Sequence, residues 1–280
     1  MAHLLKIASH TFDIGKPYSS VQDFKKHILG EIKESLDGGS QVVLFPEYTA
    51  YAVAKIPEFK TKDAIAKLIW TEVFPEVMSL SKNYEALICA GTAPNLHRDS
   101  GKFRNRAILA ASGKSIESYK RCLTPWEGDF EPGSQACFFE WQNLKFANLI
   151  CFDVEFPEIA SELKRFSPHF VLVPTATADP LGMERVARCA SARAVELGAI
   201  LVLSALVGTD EPNPLVAENM GRCSFYFPAQ EIYKSQAAIH SPVYQEGDHA
   251  IVHSVDLDLI SKVKRIDSET KPFLKSLSTF

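Results

Sequence analysis

Apolar side chains recur along the opening of the chain in two rhythms. Val21, Phe24, Ile28, Ile32 and Leu36 stand at helical spacing, with Ser19 or Ser20 placed to cap that helix and Asp37-Gly38-Gly39 to stop it. Val42-Val43-Leu44-Phe45 is instead a continuous apolar run, the pattern of a strand covered on both faces. With a short apolar strand predicted at residues 4–8, the opening reads β-α-β. It ends at Pro46-Glu47, so a carboxylate stands at the carboxyl end of the second strand, where α/β folds place their chemistry.

Further along, residues 58–82 predict a helical region whose stripe is Ala64, Ile65, Leu68, Ile69 and Val73, with a kink or break at Pro75. Strands are predicted at 86–90, 104–111 and 116–120, the last two joined through Ser112-Gly113-Lys114 as a hairpin. A loop over 121–134 carries Trp126, Glu127, Asp129 and Glu131. A second hairpin, 138–141 with 144–150, runs directly into Cys151. There the chain turns through an acidic elbow, Phe152-Asp153-Val154-Glu155-Phe156-Pro157-Glu158, before a helix at 159–166. A buried strand at 169–174, a helix at 182–197 and a strand at 200–206 follow. Phe225, Tyr226 and Phe227 lie in a late strand expected to pair with 231–235, and 250–255 is the last strand. Neither a low-complexity linker nor an internal repeat interrupts the pattern, so 1–280 reads as one domain. The tail from about residue 265 keeps Phe273, Leu277 and Phe280 for packing, for example on a second subunit.

Composition narrows the class. A net charge of -4 without a long Lys/Arg run argues against nucleic acid as a partner. The first residues lack the apolar core of a signal peptide, and the longest apolar stretch, 199–207, falls short of the roughly 18 residues a membrane span needs. No membrane partner is expected, and the chain reads as cytoplasmic. Six cysteines occur with no C-x-x-C pair, which excludes a zinc ribbon and disfavours a disulfide framework. His249 and His253 are spaced as a helical metal pair, but the strand-like residues between them separate the rings by about 13 Å at strand rise. No metal or other cofactor is expected.

Three predicted strand ends then each present a reactive side chain: Glu47, Lys120 and Cys151. The segments Phe45-Pro46-Glu47, Tyr119-Lys120 with Phe130-Glu131-Pro132-Gly133, and Ile150-Cys151-Phe152-Asp153 with Phe156-Pro157-Glu158 resemble those of the carbon–nitrogen hydrolase (nitrilase) superfamily, in its amidase-like branch. Two downstream segments, Val171-Leu172-Val173-Pro174-Thr175-Ala176 and Ala192-Arg193-Ala194-Val195-Glu196, extend the resemblance over nearly the whole chain. It implies a four-layer α-β-β-α sandwich, a Glu-Lys-Cys triad and homodimers paired through helices near the elbow. Within such a triad Glu47 acts as base, the Lys120 ammonium stabilises charge, and Cys151 attacks to form a thioester. The Phe152 N–H is the natural second oxyanion donor.

A second glutamate that holds the lysine is typical of similar proteins, and that role falls to Glu127, with Asp129 and Glu131 as rival carboxylates. Tyr48, Trp126, Glu155 and Thr175 complete the expected substrate-contacting positions. Glu155 departs from relatives that carry arginine there; a glutamate should repel carboxylate-bearing substrates and favour a neutral or amine-bearing small amide. A nitrilase, an N-carbamoyl amidohydrolase and a catalytically silent binding module are the alternatives. No phosphate-binding glycine loop and no G-x-S-x-G occurs.

Overall fold

In the computed structural model, which describes residues 3–263, one long strand serves two sheets. Strand β1 (Leu4–Asp13) pairs along residues 4–10 with β13 (Ala250–Asp256), antiparallel, and through Ile7, Ala8 and Ser9 with β2 (Val42–Phe45), parallel. Its last three residues pair instead with β9 (Ile200–Thr209). The first sheet continues from β2 through β3 (Leu87–Leu96) and β4 (Phe103–Ala111) to β5 (Lys114–Ile116). The second runs from β9 through β8 (Phe170–Thr175) and β7 (Leu144–Asn148) to β6 (Cys137–Trp141). Beside β9 lie β10 (Glu218–Asn219) and β11 (Ser224–Tyr226), the latter paired with β12 (Ala238–His240).

The two-residue period of a strand sorts the side chains of the first sheet between two cores. Val42, Leu44, Leu87, Cys89 and Leu109 share a core with Phe146, Phe170 and Leu201 of the second sheet. Their neighbours Val43, Phe45, Ile88, Ala90 and Ile108 pack on the other side, with Phe24, Ile28 and Ile32 of α1 (Val21–Asp37) and with Ile65 of α2 (Lys62–Leu68) and Val77 of α3 (Phe74–Asn83). Ile159 and Leu163 of α4 (Pro157–Leu163) and Val186, Ala190 and Ala194 of α5 (Pro180–Leu197) cover the second sheet. The layers are therefore helix, sheet, sheet, helix. A four-residue turn, α6 (Leu257–Ile260), follows β13.

Three expectations change. The helical region at 58–82 is divided, since a π turn over Ile69–Val73 separates α2 from α3 and the Phe74 N–H reaches back to the Ile69 carbonyl. Pro75, in the first turn of α3, has no N–H to continue a regular ladder. Residues 116–120 are strand only as far as Ile116; beyond it Ala107 donates to the Ser118 carbonyl at 2.9 Å and Lys120 to that of Asn105 at 2.9 Å. Residues 231–235 do not pair with β11. Glu231–Tyr233 is a 3₁₀ turn that aims the Tyr233 ring at Phe227, 5.1 Å between centroids, and β12 takes the place beside β11. The tail from residue 265, with Phe273, Leu277 and Phe280, lies outside the described residues. No helix among the described residues is long and apolar enough to cross a membrane.

Candidate active site

The site is assembled from three turns. At the end of β2 the chain bends so sharply that Tyr48 adopts a left-handed φ of 61°. Thr49 Oγ1 donates to the Pro46 carbonyl at 2.8 Å, and the Tyr48 N–H donates to Thr92 Oγ1 at 2.9 Å. Gly91, at φ +85°, lets β3 pass close beneath: a Cβ there would stand 2.4 Å from the Pro46 oxygen. This turn drives Glu47 inward until it is 1% exposed.

Lys120 arrives from the irregular segment beside β4. Its carbonyl accepts from the Gly133 N–H at 2.7 Å, and a Cβ on Gly133 would lie 2.7 Å from that of Tyr119, so the 121–134 loop folds tightly over it. The ammonium sits 2.9 Å from Glu47 Oε1 and 2.8 Å from Glu127 Oε2. Glu127 is itself fixed by the Thr124 N–H at 2.8 Å, by Thr124 Oγ1 at 3.0 Å and by the Tyr48 hydroxyl, which donates to its Oε1. Of the rival carboxylates, Asp129 pairs with Lys62, and Glu131 with Arg104 at 2.7 Å and His97 at 2.6 Å. Neither is paired with Lys120.

The third turn holds Cys151 at φ 46°, a left-handed conformation costly for a side chain with a Cβ and kept only where the surroundings over-determine it. Asp153 supplies much of that constraint. Its carboxylate accepts from the N–H groups of Arg121 at 3.0 Å, Cys122 at 2.7 Å and Ile150 at 3.1 Å, tying the residues after Lys120 to the one before the thiol. Arg193 of α5 braces the far side, donating to the Val154 and Glu155 carbonyls at 3.2 and 3.4 Å while Glu196 holds its other face. The thiol donates to the Ala176 carbonyl at 3.4 Å, and the Glu47 and Lys120 charges both act on it.

One ammonium between two buried carboxylates sets the electrostatics. Burial pushes Glu47 up to about 7 despite the opposing pull of Lys120, because that charge is shared with Glu127. Glu127 is held below the usual carboxylate range; its own burial opposes this, but Lys120, Tyr48 and Thr124 outweigh it. Lys120 stays firmly protonated: burial acts against its charge, and the Glu47 and Glu127 carboxylates overcome it. Burial, with Glu47 adding to it, raises the Cys151 thiol well above its ordinary value. The resting thiol is therefore neutral, and a base would have to take its proton for it to act as a nucleophile.

The other expected residues divide. Tyr48 joins the cluster through Glu127 and through its ring, 5.8 Å from Lys120 Nζ. Phe152 follows the thiol, half-buried and edge-to-face on Phe156. Trp126 is 76% exposed beside the buried Glu127. The Thr175 hydroxyl donates to the Ser204 carbonyl at 2.5 Å and staples β8 to β9. Glu155 is paired through one oxygen: Arg185 Nε sits 2.6 Å from its Oε2, and its side chain is 11% exposed.

Asn105, Asp153 and Arg193 were not assigned site roles from sequence. Asn105 Nδ2 donates to Glu47 Oε1 at 2.9 Å, yet a single polar residue in a predicted strand carries no signal of that contact. Asp153 did carry one, since it stands inside the elbow motif. Among the described residues no group of His, Cys, Asp and Glu is arranged to hold a metal, and all six cysteines are free. Asp153→Asn turns one acceptor oxygen into a donor facing a backbone N–H. A destabilisation of about 1–3 kcal/mol is expected in urea unfolding, with turnover falling more than substrate affinity because the thiol loses its placement. Unaltered stability and turnover would remove Asp153 from the support of the elbow.

Known proteins resemble the chain in sequence and in fold. The chain belongs to the carbon–nitrogen hydrolase family, whose model matches residues 6–266. The probable hydrolase YhcX of Bacillus subtilis (strain 168) is 29% identical over 212 residues, covering 73% of this chain and 40% of that protein. An (R)-stereoselective amidase of Pseudomonas sp. is 32% identical over 113 residues, 39% of this chain and 41% of that one. The chain thus spans about two fifths of the length of these relatives. Among solved structures, Saccharomyces cerevisiae Nit3, of branch 10 of the nitrilase superfamily, superposes with a TM-score of 0.68 at 18% identity over 92% of each chain. A variant of the amidase from Nesterenkonia sp. AN1 does so with 0.65 at 20% identity over 97% of each. At such identities the likeness is one of fold, the four-layer α-β-β-α sandwich.

Proposed function

We propose that the chain is an amidase that converts a small neutral carboxamide to its acid and ammonia through a thioester on Cys151. The observation that carries this reading is the Lys120 ammonium held at 2.9 and 2.8 Å between Glu47 and Glu127, with Cys151 held in a left-handed turn whose thiol feels both the Glu47 and the Lys120 charge. Ionised Glu47 takes the thiol proton as sulfur bonds to the amide carbon. The carbonyl electrons move onto oxygen, stabilised by Lys120 and by the Phe152 N–H. Collapse of that intermediate breaks the C–N bond, and Glu47 returns the proton to the departing ammonia. Water, deprotonated by Glu47, then cleaves the thioester and restores the thiol.

Two further facts favour an amide. Relatives of the chain are named as amidases, and in the Nesterenkonia protein a glutamate-to-glutamine variant carries the acetamide moiety of fluoroacetamide on its active-site cysteine. Neutrality of the substrate follows from charge. With Glu47 ionised, two carboxylates face one ammonium, so a further anion is repelled by the cluster itself and not by Glu155, which Arg185 offsets.

The test is ammonia release from neutral, amine-bearing and carboxylate-bearing amides, from nitriles and from N-carbamoyl amino acids. Neutral amides should turn over, Cys151→Ala should not, and wild-type protein quenched during turnover should carry the acyl mass on Cys151. Turnover confined to nitriles or N-carbamoyl compounds would transfer the reading to those reactions. Equal rates in Cys151→Ala would end the thioester mechanism.

A further inference from the structure

Strand β4 brings one polar side chain into the space between the two sheets. Asn105, Ala107 and Leu109 alternate along one face of β4. Ala107 and Leu109 lie in the core that the sheets share, and Asn105, next in that row, is 1% exposed. Its Nδ2 donates to Glu47 Oε1 at 2.9 Å. Its main-chain carbonyl accepts from the Lys120 N–H, also at 2.9 Å, and beside it Arg106 bridges Tyr119. One residue of β4 therefore holds both the carboxylate of Glu47 and the main chain of Lys120.

Packing gives no reason for an amide at this place. Alanine or leucine would continue the apolar row, whereas the amide carries a cost: its Oδ1 is buried without a hydrogen-bond partner. The reason lies in where the donors to Glu47 fall. Lys120 Nζ and Asn105 Nδ2 each lie 2.9 Å from the same oxygen, Oε1. An ionised carboxylate has about four acceptor sites, two on each oxygen. Both sites on Oε1 are thus taken, and Oε2 is the oxygen left to receive a proton. An ammonium alone could pair with either oxygen; a second donor, fixed on another strand, decides which.

We propose that Asn105 is a positioning residue for the base: it pins Glu47 Oε1 beside Lys120, leaves Oε2 as the atom that takes the Cys151 proton and returns it to ammonia, and favours the ionised carboxylate. The proposal rests on the amidase reading, in which Glu47 is that base. An amide N–H bonds a carboxylate more strongly than a carboxylic acid, so losing it makes Glu47 harder to ionise.

The experiment measures kcat and KM for propanamide between pH 5 and pH 9 in wild type, Asn105→Leu and Asn105→Ala. In both variants the acid limb of kcat/KM should move to higher pH by about one to two units, the worth of one hydrogen bond to a charged group. At pH 6 kcat should fall by about ten- to a hundredfold on the same scale, with KM little changed because Asn105 donates to Glu47 and not to substrate. A merely structural loss lowers the whole profile and leaves its limb in place. An unmoved limb, or a deficit confined to KM, overturns the proposal. If no neutral amide, propanamide included, releases more ammonia with wild type than with Cys151→Ala, the amidase reading itself has failed. Alkylation of Cys151 by iodoacetamide then decides the role of Asn105 separately. Sulfur displaces iodide as Glu47 takes the thiol proton; the same displacement of the rate profile in Asn105→Leu supports that role, and an unmoved profile overturns it. Should neither variant fold, wild type decides by NMR. The Asn105 side-chain N–H resonance should shift as Glu47 ionises around pH 7, and a resonance that stays fixed overturns the assignment.

Discussion

Lys120→Met should lower kcat/KM on a neutral amide by about a thousandfold, the scale on which an oxyanion-stabilising donor contributes, and should destabilise the fold by about 3–5 kcal/mol, as when one partner of a buried ion pair is removed. Both effects come from the same contacts. Nζ lies within 2.9 Å of two carboxylates that are each 1% exposed. Methionine preserves most of the side-chain volume and leaves Glu47 and Glu127 facing each other without the ammonium. Each then gains a proton more readily than in the unfolded chain. A carboxylate whose folded pKa is raised contributes stability below its unfolded value and loses it as pH rises through the folded one. The deficit against wild type should therefore be larger at pH 8 than at pH 5. Urea midpoints at the two values, with unchanged m, measure it. A deficit independent of pH, or near-normal turnover, would contradict the role assigned to Lys120.

Much of this site was legible because its reactive residues stand where apolar runs end. Val42–Phe45 leads to Glu47, and the β7 hairpin leads to Cys151. Glu127 was legible as a loop carboxylate near Lys120, but only the fold separates it from Asp129 and Glu131, which are drawn off by Lys62 and by Arg104 with His97. Long-range pairings left no local mark. Asn105 meets Glu47 across two strands, and Arg185 reaches Glu155 from another helix. Glu155 shows that a charge read from sequence comes without its partner: Arg185 Nε stands 2.6 Å from its Oε2. Adjacent Trp126 and Glu127, 76% and 1% exposed, have no periodicity to separate them, because one 3₁₀ turn decides which points inward. The segment 231–235 failed for a similar reason. Alternation in five residues also fits a turn, and here the packing of Tyr233 against Phe227 goes with the turn.

Glu47→Gln should lower kcat/KM by about 10²- to 10⁴-fold, the range for a positioned general base, and should remove the pH dependence near neutrality. In wild type, burial pushes Glu47 up to about 7, so below that pH the base is mostly protonated and cannot accept from Cys151. The logarithm of kcat/KM should climb with unit slope toward pH 7 and level off above it. The glutamine amide has nothing to titrate in this range, so the small residual rate should lack that limb. Stability should move in the opposite sense. Glu47 binds its proton more tightly in the folded chain than in the unfolded one. Wild type therefore loses that contribution as pH rises through about 7, and Glu47→Gln has none to lose. The stability of the variant relative to wild type should rise between pH 5 and pH 8. The competing influence is Lys120 at 2.9 Å, which favours the ionised carboxylate. If that attraction outweighed burial, Glu47 would already be ionised at pH 5. The wild-type profile would then be flat across neutrality, and the relative stability would not rise. A pH–rate profile and paired urea titrations therefore decide which of the two effects governs the base.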